Sequence, residues 1–443
     1  MKDKTFHMIS LGCAKNTVDS ASMAQLLAQT GYRSVGSQKQ AQVVIVNTCG
    51  FIGPAKQESL QILSDLAAHK RPGQILIAAG CLTQRYGLEV AQQVPGVDGI
   101  LGTRRWMDIV AVVEELRQGK HPQPLYHLPE VATVGADEQG ALRAAVQGAS
   151  AYVKIADGCR RPCAFCAIPL IKGTAVSRPV ESVLEDVRQL QDLGMREVIL
   201  IAQDTTDYGH DLGMQDGLSK LLEQIISAAP QVDWIRLMYA YPGYVTDRLI
   251  EVMASHPQIL PYLDIPLQHA HPATLQRMRR PANIDWVHKT LAKMRAALPE
   301  LALRTTFIVG YPGETEEEFQ ALLDFVQEIR FDRVGTFEFS FEPGTFSESL
   351  GDPIPPEVKQ ERYDRLMTLQ QGISLERNLA WVGRTLDVLI EGQSEGISLG
   401  RSYRDAPEID GLVIVEGQAE TGDLLPVRIT GAMAYDLTGQ FLT

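Results

Sequence analysis

The sequence predicts an α/β protein in three parts: an N-terminal Rossmann-like parallel sheet over residues 4–118, a central open (β/α)6 partial barrel over 145–373, and a small antiparallel β-barrel over 374–443. Three observations carry this. Continuous apolar strands alternate with amphipathic helices through the first third, and six more strand–helix units follow a break before residue 150. Short β-type runs with glycine turns replace that alternation at the end of the chain.

In the first third, the apolar run Phe6 to Leu11 ends in Gly12-Cys13. A helix follows from about Thr17 to Thr30, with Met23, Leu26 and Leu27 on one face and Gly31 as its stop. Val43 to Val46 then leads into Asn47-Thr48-Cys49-Gly50. A second helix from about Ala55 to His69 carries Leu60, Leu63 and Leu66 at helical spacing and breaks at Arg71-Pro72-Gly73. The third run, Ile75 to Ala79, ends in Gly80-Cys81. Strands apolar on both faces imply a parallel sheet covered by helices on each side. Ligands gather beyond the carboxyl ends of such strands. Cys13, Cys49 and Cys81, 36 and 32 residues apart, each stand there and are expected to converge. Any one of them alone reads equally well as a small buried hydrophobe. Three in equivalent positions read as a ligand set.

Between Leu116 and Ser150 the periodicity lapses, with Pro122, Pro124 and Pro129 and the polar run Gly135 to Gly140 marking a boundary. Six strands follow, near Tyr152–Ile155, Val198–Ala202, Ile235–Tyr239, Leu263–Pro266, Thr305–Val309 and Val334–Phe341. Helical patterns separate them, as at Val183 to Leu193, Leu218 to Ala228 and Phe319 to Ile329, the last opened by the Thr315-x-x-Glu318 capping box. Six units are too few to close an eightfold barrel. Loops at the expected rim are polar or glycine-rich: Gln203 to Thr206, Gln268-His269 and Gly310 to Glu314. The last lacks the Gly-Lys-Ser/Thr ending of a phosphate loop, which excludes an NTPase. His269 and His271 read better as hydrogen-bonded structural residues than as metal ligands. After a helical stretch from about Pro356 to Ala380 come the β-type runs Thr385 to Ile390, Leu412 to Val415 and Leu425 to Ile429.

The barrel's first unit carries Cys159-Arg160-Arg161-Pro162-Cys163-Ala164-Phe165-Cys166, directly after the apolar run Ala151 to Ala156. Thiolates are soft ligands, suited to zinc or iron–sulfur clusters. A structural zinc site is closed by four ligands, whereas the next histidine downstream is His210. A 4Fe–4S cluster held by three thiolates keeps one iron open to a small molecule; zinc is the alternative. The six cysteines fall into two trios, leaving none for a disulfide framework, which fits a reducing compartment. No signal-peptide pattern and no run of about 18 apolar residues is found, so the chain reads as cytoplasmic and not membrane-bound.

The net charge is −13, the wrong sign for gripping nucleic acid through its phosphates. From Ser374 to Thr443 eleven Asp and Glu stand against five Arg and no Lys. Such a segment suits a basic protein partner; a merely solvated acidic surface is the alternative.

The cysteine loop, with Phe165 before its third thiol, resembles the signature of radical S-adenosylmethionine enzymes. Taken with Ser10-Leu11-Gly12-Cys13-Ala14-Lys15-Asn16, Asn47 to Ile52, Tyr262 to His269 and Arg401-Ser402 followed by Asp405 to Gly411, the whole chain is similar to the methylthiotransferases, in their ribosomal-protein branch. Ala14 stands where proline is usual and Asp157 where glutamate is common. The resemblance implies that the terminal barrel is a TRAM domain. It implies that Cys159, Cys163 and Cys166 hold a 4Fe–4S cluster whose open iron chelates S-adenosylmethionine, and that Cys13, Cys49 and Cys81 hold an auxiliary 4Fe–4S cluster. The implied reaction adds a methylthio group to the β-carbon of an aspartate in small-subunit ribosomal protein twelve. Electrons would come from a donor such as flavodoxin or ferredoxin. A tRNA adenosine methylthiotransferase with the same two clusters is the nearest rival, and a non-enzymatic iron–sulfur carrier a remote one.

Overall fold

The structure, a computed structural model, describes residues 4–119, 124–130 and 140–442. Pro122 and residues 135–139, part of the expected boundary, lie outside them.

The first sheet holds six parallel strands: Thr5–Ser10 (β1), Arg33–Ser34 (β2), Val43–Thr48 (β3), Ile75–Gly80 (β4), Gly99–Gly102 (β5) and Leu125–His127 (β6). Their spatial order is β2-β1-β3-β4-β5-β6, so the three cysteine-bearing units are immediate neighbours. β6 carries the sheet past residue 118. Helices Ala14–Gln29 (α1), Gly53–Ala68 (α2) and Cys81–Gln93 (α3) follow β1, β3 and β4. Alternate strand residues enter opposite cores, Ile45 and Ile77 on one face and Val44, Val46, Leu76 and Ala78 on the other. Both faces are buried, which is why these strands read as unbroken apolar runs.

The second sheet has seven strands. Ala144–Gln147 (β7) forms an antiparallel hairpin with Ser150–Lys154 (β8), and Ala156–Asp157 (β9) pairs with Val176–Ser177 (β10) as a short ribbon framing the cysteine loop. The remaining strands, Glu197–Ile201 (β11), Trp234–Leu237 (β12), Ile259–Asp264 (β13), Ala302–Val309 (β14) and Arg333–Glu338 (β15), continue parallel from β8. Six parallel strands in an open sheet are what the sequence predicts; the β7 edge was not foreseen. Val198, Leu200, Ile235, Leu237 and Leu263 pack beneath the helices. Ile199, Ile201 and Tyr262 face inward, joined by Val18 of α1 and by Leu389 and Ala406 from the end of the chain. One core is thus shared by all three parts.

The helix Pro356–Leu379 runs through residue 374 and delivers the chain to a closed barrel. Its strands are Thr385–Ser394 (β16), Ile397–Ser402 (β17), Val413–Glu416 (β18), Leu424–Ala432 (β19) and Leu437–Phe441 (β20), in the order β16-β17-β18-β20-β19. The β18–β20 pair is parallel and the other pairs antiparallel. An odd number of strands cannot close on itself without a parallel pair. Buried charges fix this barrel to the central one. Glu197 accepts from Arg401 at 2.6 Å and Arg236 at 2.7 Å, and Asp405 accepts from Arg333 at 2.6 Å.

Candidate functional site

Cys49 and Cys81 directly follow the last residues of β3 and β4, and Cys13 lies three residues beyond β1. The chain reaches Cys13 through Gly12, whose φ of +90° and close approach to Cys49 exclude a side chain: a Cβ there would lie 2.8 Å from that of Cys49. Asn16 ties the strand ends together. Its Nδ2 donates to the carbonyls of Leu11 (2.9 Å) and Thr48 (3.0 Å), and its Oδ1 lies 3.6 Å from the sulfur of Cys81. Burial pushes the Cys81 thiol up to about 12 and raises that of Cys49 as well. Burial also raises Cys13, but Lys15, the backbone N–H groups of Asn16 and Lys15, and Lys172 outweigh it and hold that thiol below its usual value.

A buried charge network joins this trio to the second. Asp19 of α1 accepts from Lys154, from Lys172 at 3.0 Å and from Arg143 at 2.8 Å; Asp157, two residues before Cys159, accepts from the same three cations. All five side chains are at most 2% exposed. Removing charges so completely from water is tolerable only because each is paired. The network fixes the end of β8 against α1, and with it the position of one cysteine set relative to the other.

The second trio sits on the loop after β9. Gly158 enters it at φ +74°, where a Cβ would lie 2.0 Å from the carbonyl oxygen of Thr174. The N–H groups of Cys159 and Ala164 donate to the carbonyls of Gly173 (3.1 Å) and Met278 (2.8 Å). Arg280 Nη1 donates to the sulfur of Cys163 at 3.3 Å, and the Tyr241 hydroxyl is 3.7 Å from it. Burial pushes the Cys159 thiol up to about 11 and that of Cys166 higher still. Arg161 is held by Asp204 at 2.6 Å and stacks 3.6 Å from the centre of the Tyr244 ring.

A cavity of about 340 Å³ opens on this loop. Cys159, Cys163 and Cys166 form part of its wall, with Gln203, Gln268 and Arg280 from the barrel rim. Lys15, Phe51 and Ile52, neighbours of Cys13 and Cys49, form another part. The volume lies within the roughly 300–1,000 Å³ typical of small-molecule sites. Of the rim loops expected to contact a ligand, Gln203 and Gln268 reach the cavity. Gly310 to Glu314 turns instead toward the long helix, Gly310 against Lys359 and Glu314 bonded to Arg362 at 3.0 Å. His269 is buried, with Nδ1 accepting from the His271 N–H at 2.9 Å, and desolvation lowers its ring to about 3. His271 caps the following helix.

Sequence reasoning missed Lys15, Arg161, Tyr239, Tyr241 and Arg280 as cavity residues. Lys15 and Arg161 lay within the quoted motifs; the others had no signal beyond their place after a strand or short helix. Among the described residues no three His, Cys, Asp or Glu side chains gather closely enough to hold a single metal ion. In a polynuclear cluster each thiolate bonds a different iron, so no such gathering is required. None of the described helices is long and apolar enough to cross a membrane.

Three segments of the chain match known families. Residues 5–102 match the uncharacterized protein family UPF0004, 153–326 the radical SAM superfamily and 382–442 the TRAM domain. A protein of Chloroflexus aurantiacus named ribosomal protein uS12 methylthiotransferase RimO is 50% identical, over 99% of this chain and all of that one. Proteins of the same name are 48% identical in a Roseiflexus species, over 99% of this chain and 97% of the other, and 46% identical in Herpetosiphon aurantiacus, over 99% and 100%. Among solved structures, the radical S-adenosylmethionine methyltransferase TsrM of Kitasatospora setae superposes with a TM-score of 0.58 at 12% identity, covering 80% of this chain and 76% of that one. That likeness is one of fold.

Proposed function

Because this chain belongs to the RimO family of ribosomal protein uS12 methylthiotransferases, we propose that it works by holding two iron–sulfur clusters against one cavity, with the substrate loop admitted between them. The chain is a radical S-adenosylmethionine methylthiotransferase acting on uS12. The superfamily implies one 4Fe–4S cluster and S-adenosylmethionine. We assign that cluster to Cys159, Cys163 and Cys166, and an auxiliary 4Fe–4S cluster to Cys13, Cys49 and Cys81. The donor sets fit: each is a trio of thiols with no fourth cysteine in the chain to complete it. Gly158 lets the backbone pass so close to Thr174 that a Cβ would lie 2.0 Å from its carbonyl oxygen, which fixes the loop that carries the three thiols. We assign these roles to residues 4–118, 145–373 and 374–443.

An unactivated carbon–hydrogen bond is beyond any side-chain base near neutral pH. A cluster held by Cys159, Cys163 and Cys166 together with S-adenosylmethionine would supply the radical chemistry that such a bond requires. The chain's own residues prepare the place. Arg280, donating to the Cys163 sulfur, would favour thiolate charge there, and Asp204 locks Arg161 into the wall. Phe165, Ile308, Phe337 and Phe339 line part of the wall with apolar surface, beside Thr306, Glu338, Ser340 and Glu342. Gln203 and Gln268 are left to orient polar groups.

We assign the β-carbon of a uS12 aspartate as the target, with electrons from a flavodoxin or ferredoxin. The terminal barrel supports a basic protein partner. Asp387, Glu395, Glu408, Glu416 and Glu420 are exposed there. Four of the segment's five arginines are meanwhile paired with central-barrel acids: Arg377 and Arg404 with Asp332, Arg384 with Glu300 and Arg401 with Glu197. A protein that binds ribosomal RNA is expected to be basic, whereas a tRNA anticodon loop would be repelled. The observation carrying the reading is the single cavity walled by both cysteine neighbourhoods. Anaerobic incubation with purified uS12, reductant and S-adenosylmethionine should add one methylthio group by mass. Unmodified uS12 alongside a newly modified tRNA adenosine would overturn it.

A further inference from the structure

Resting on that reading, we infer that Lys15 binds the carboxylate of the target aspartate. Four lysines are buried among the described residues: Lys15, Lys154, Lys172 and Lys359. Lys154 and Lys172 are tied to Asp19 and Asp157, and Lys359 to Asp352 at 2.6 Å. Lys15, 7% exposed, makes no ion pair among the described residues. Its ammonium rests instead 3.2 Å from the centre of the Tyr239 ring, facing the cavity. The nearest groups of opposite charge are the Cys13 thiol, whose ionisation Lys15 favours, and Asp264, which Arg304 already holds at 3.0 Å; neither forms an ion pair with it. A buried cation without a paired anion is costly, and an aromatic face returns only part of the lost hydration. Such a group is poised for an anion that arrives from outside.

The other cations of this cavity are already engaged. Arg161 is bonded to Asp204 and Asp207, and Arg280 to the Cys163 sulfur and the Pro266 carbonyl. The backbone holds the Lys15 platform with some strain. Tyr239 has φ +62° and Gln268, across the same cavity, φ +73°, a region that side-chain-bearing residues rarely occupy. Gln268 turns an amide toward the cavity with its oxygen unpartnered, suited to a backbone N–H of an entering peptide.

The chemistry of the acceptor narrows the anion. The carboxylate of an aspartate is bonded directly to the β-carbon that reacts. Whatever recognises it must therefore stand within a few ångströms of the point where hydrogen leaves and sulfur arrives. Lys15 is two residues from Cys13 and shares a wall with Cys159, Cys163 and Cys166. The carboxylate of S-adenosylmethionine is the other candidate, but its place is on the barrel loop, whereas Lys15 belongs to the N-terminal part. Lys15 would select an aspartate over its neutral isostere and hold the β-carbon still.

The test uses the full-length, anaerobically reconstituted protein and peptides spanning the modified loop of uS12, with either Asp or Asn at the target. Both carry the same β-hydrogens, so the ratio of kcat/KM for the two reads carboxylate recognition, and cluster loading cancels from it. Wild type should prefer Asp by about a hundredfold, the size of a buried charge pair. K15M and K15Q should bring that preference to within a few-fold of unity, and K15R should restore much of it. Peptide binding without reductant, followed by fluorescence anisotropy, should shift in parallel. A neutral variant that keeps the wild-type preference overturns the assignment. So does one whose only change is a higher KM for S-adenosylmethionine, which would place the carboxylate on the cofactor. Wild-type protein that leaves the Asp peptide unmodified overturns the functional reading itself and this assignment with it.

Discussion

Glu197→Gln keeps the shape of a buried side chain and removes the charge that joins the central and terminal barrels. Glu197 is wholly buried on β11, accepting from Arg401 (2.6 Å), Arg236 (2.7 Å) and Ser150 (2.8 Å). Burial alone would raise its carboxyl, but Arg236 and Arg401 outweigh that and bring it from 4.5 to about 2. At about 1.4 kcal/mol per unit this difference stabilises the folded chain by about 3 kcal/mol at neutral pH. Measured losses from breaking one partner of a buried pair, about 3–5 kcal/mol, agree. The variant strands Arg236 and Arg401, so the terminal barrel should open more than a hundredfold more often at pH 7. Hydrogen exchange in β17 and proteolysis just after the helix ending at Leu379 read that opening. The sign is fixed by the direction of the shift. A depressed carboxyl contributes its full stability above 4.5 and loses it as the pH falls toward about 2. The gap between wild type and variant should therefore close across that window. Equal protection at pH 7, within about 0.5 kcal/mol, or a gap that ignores pH between those values would refute the reasoning.

Two further outcomes follow from the cysteine sites. A Cys13/Cys49/Cys81→Ala chain should make no methylthio product yet cleave S-adenosylmethionine at a rate within a few-fold of wild type, measured as 5′-deoxyadenosine by chromatography; product from this variant would refute the division of labour. Gly158→Ala forces a Cβ to 2.0 Å from the Thr174 oxygen at a φ of +74°, so the barrel loop must shift. The purified variant should hold one cluster's worth of iron, with the circular dichroism of wild type; full iron content would show that the loop tolerates the methyl group.

Much of this was legible before the structure because strand–helix alternation has a fixed period and cysteine has few structural uses in a reduced protein. The runs ending at Cys13, Cys49 and Cys81 placed those thiols beyond the carboxyl ends of β1, β3 and β4, and the sheet order made those strands neighbours. The six parallel barrel strands were found within a few residues. Short strands were not: Arg33–Ser34, Leu125–His127 and Ala144–Gln147 are too brief to show a period, and their pairing comes from neighbours distant in sequence. In the terminal barrel, β17 and β20 carry glycines and polar residues that dilute the alternation. Lys15 and Tyr239 illustrate a different gap. Their contact joins residues more than two hundred positions apart, and nothing local to either announces it. The acidic count of the last segment was right in number but not in placement, since Asp405 and Asp410 are interior partners of central-barrel arginines.

The central claim is that two polynuclear sites flank one cavity, each completed by only three protein sulfurs. Mössbauer spectroscopy on anaerobically purified full-length protein, with iron and sulfide counts, tests it most directly. The account predicts about eight irons per chain in two 4Fe–4S clusters, with S-adenosylmethionine altering one iron of one cluster. A single cluster, or clusters in which every iron already carries a protein ligand, would contradict it.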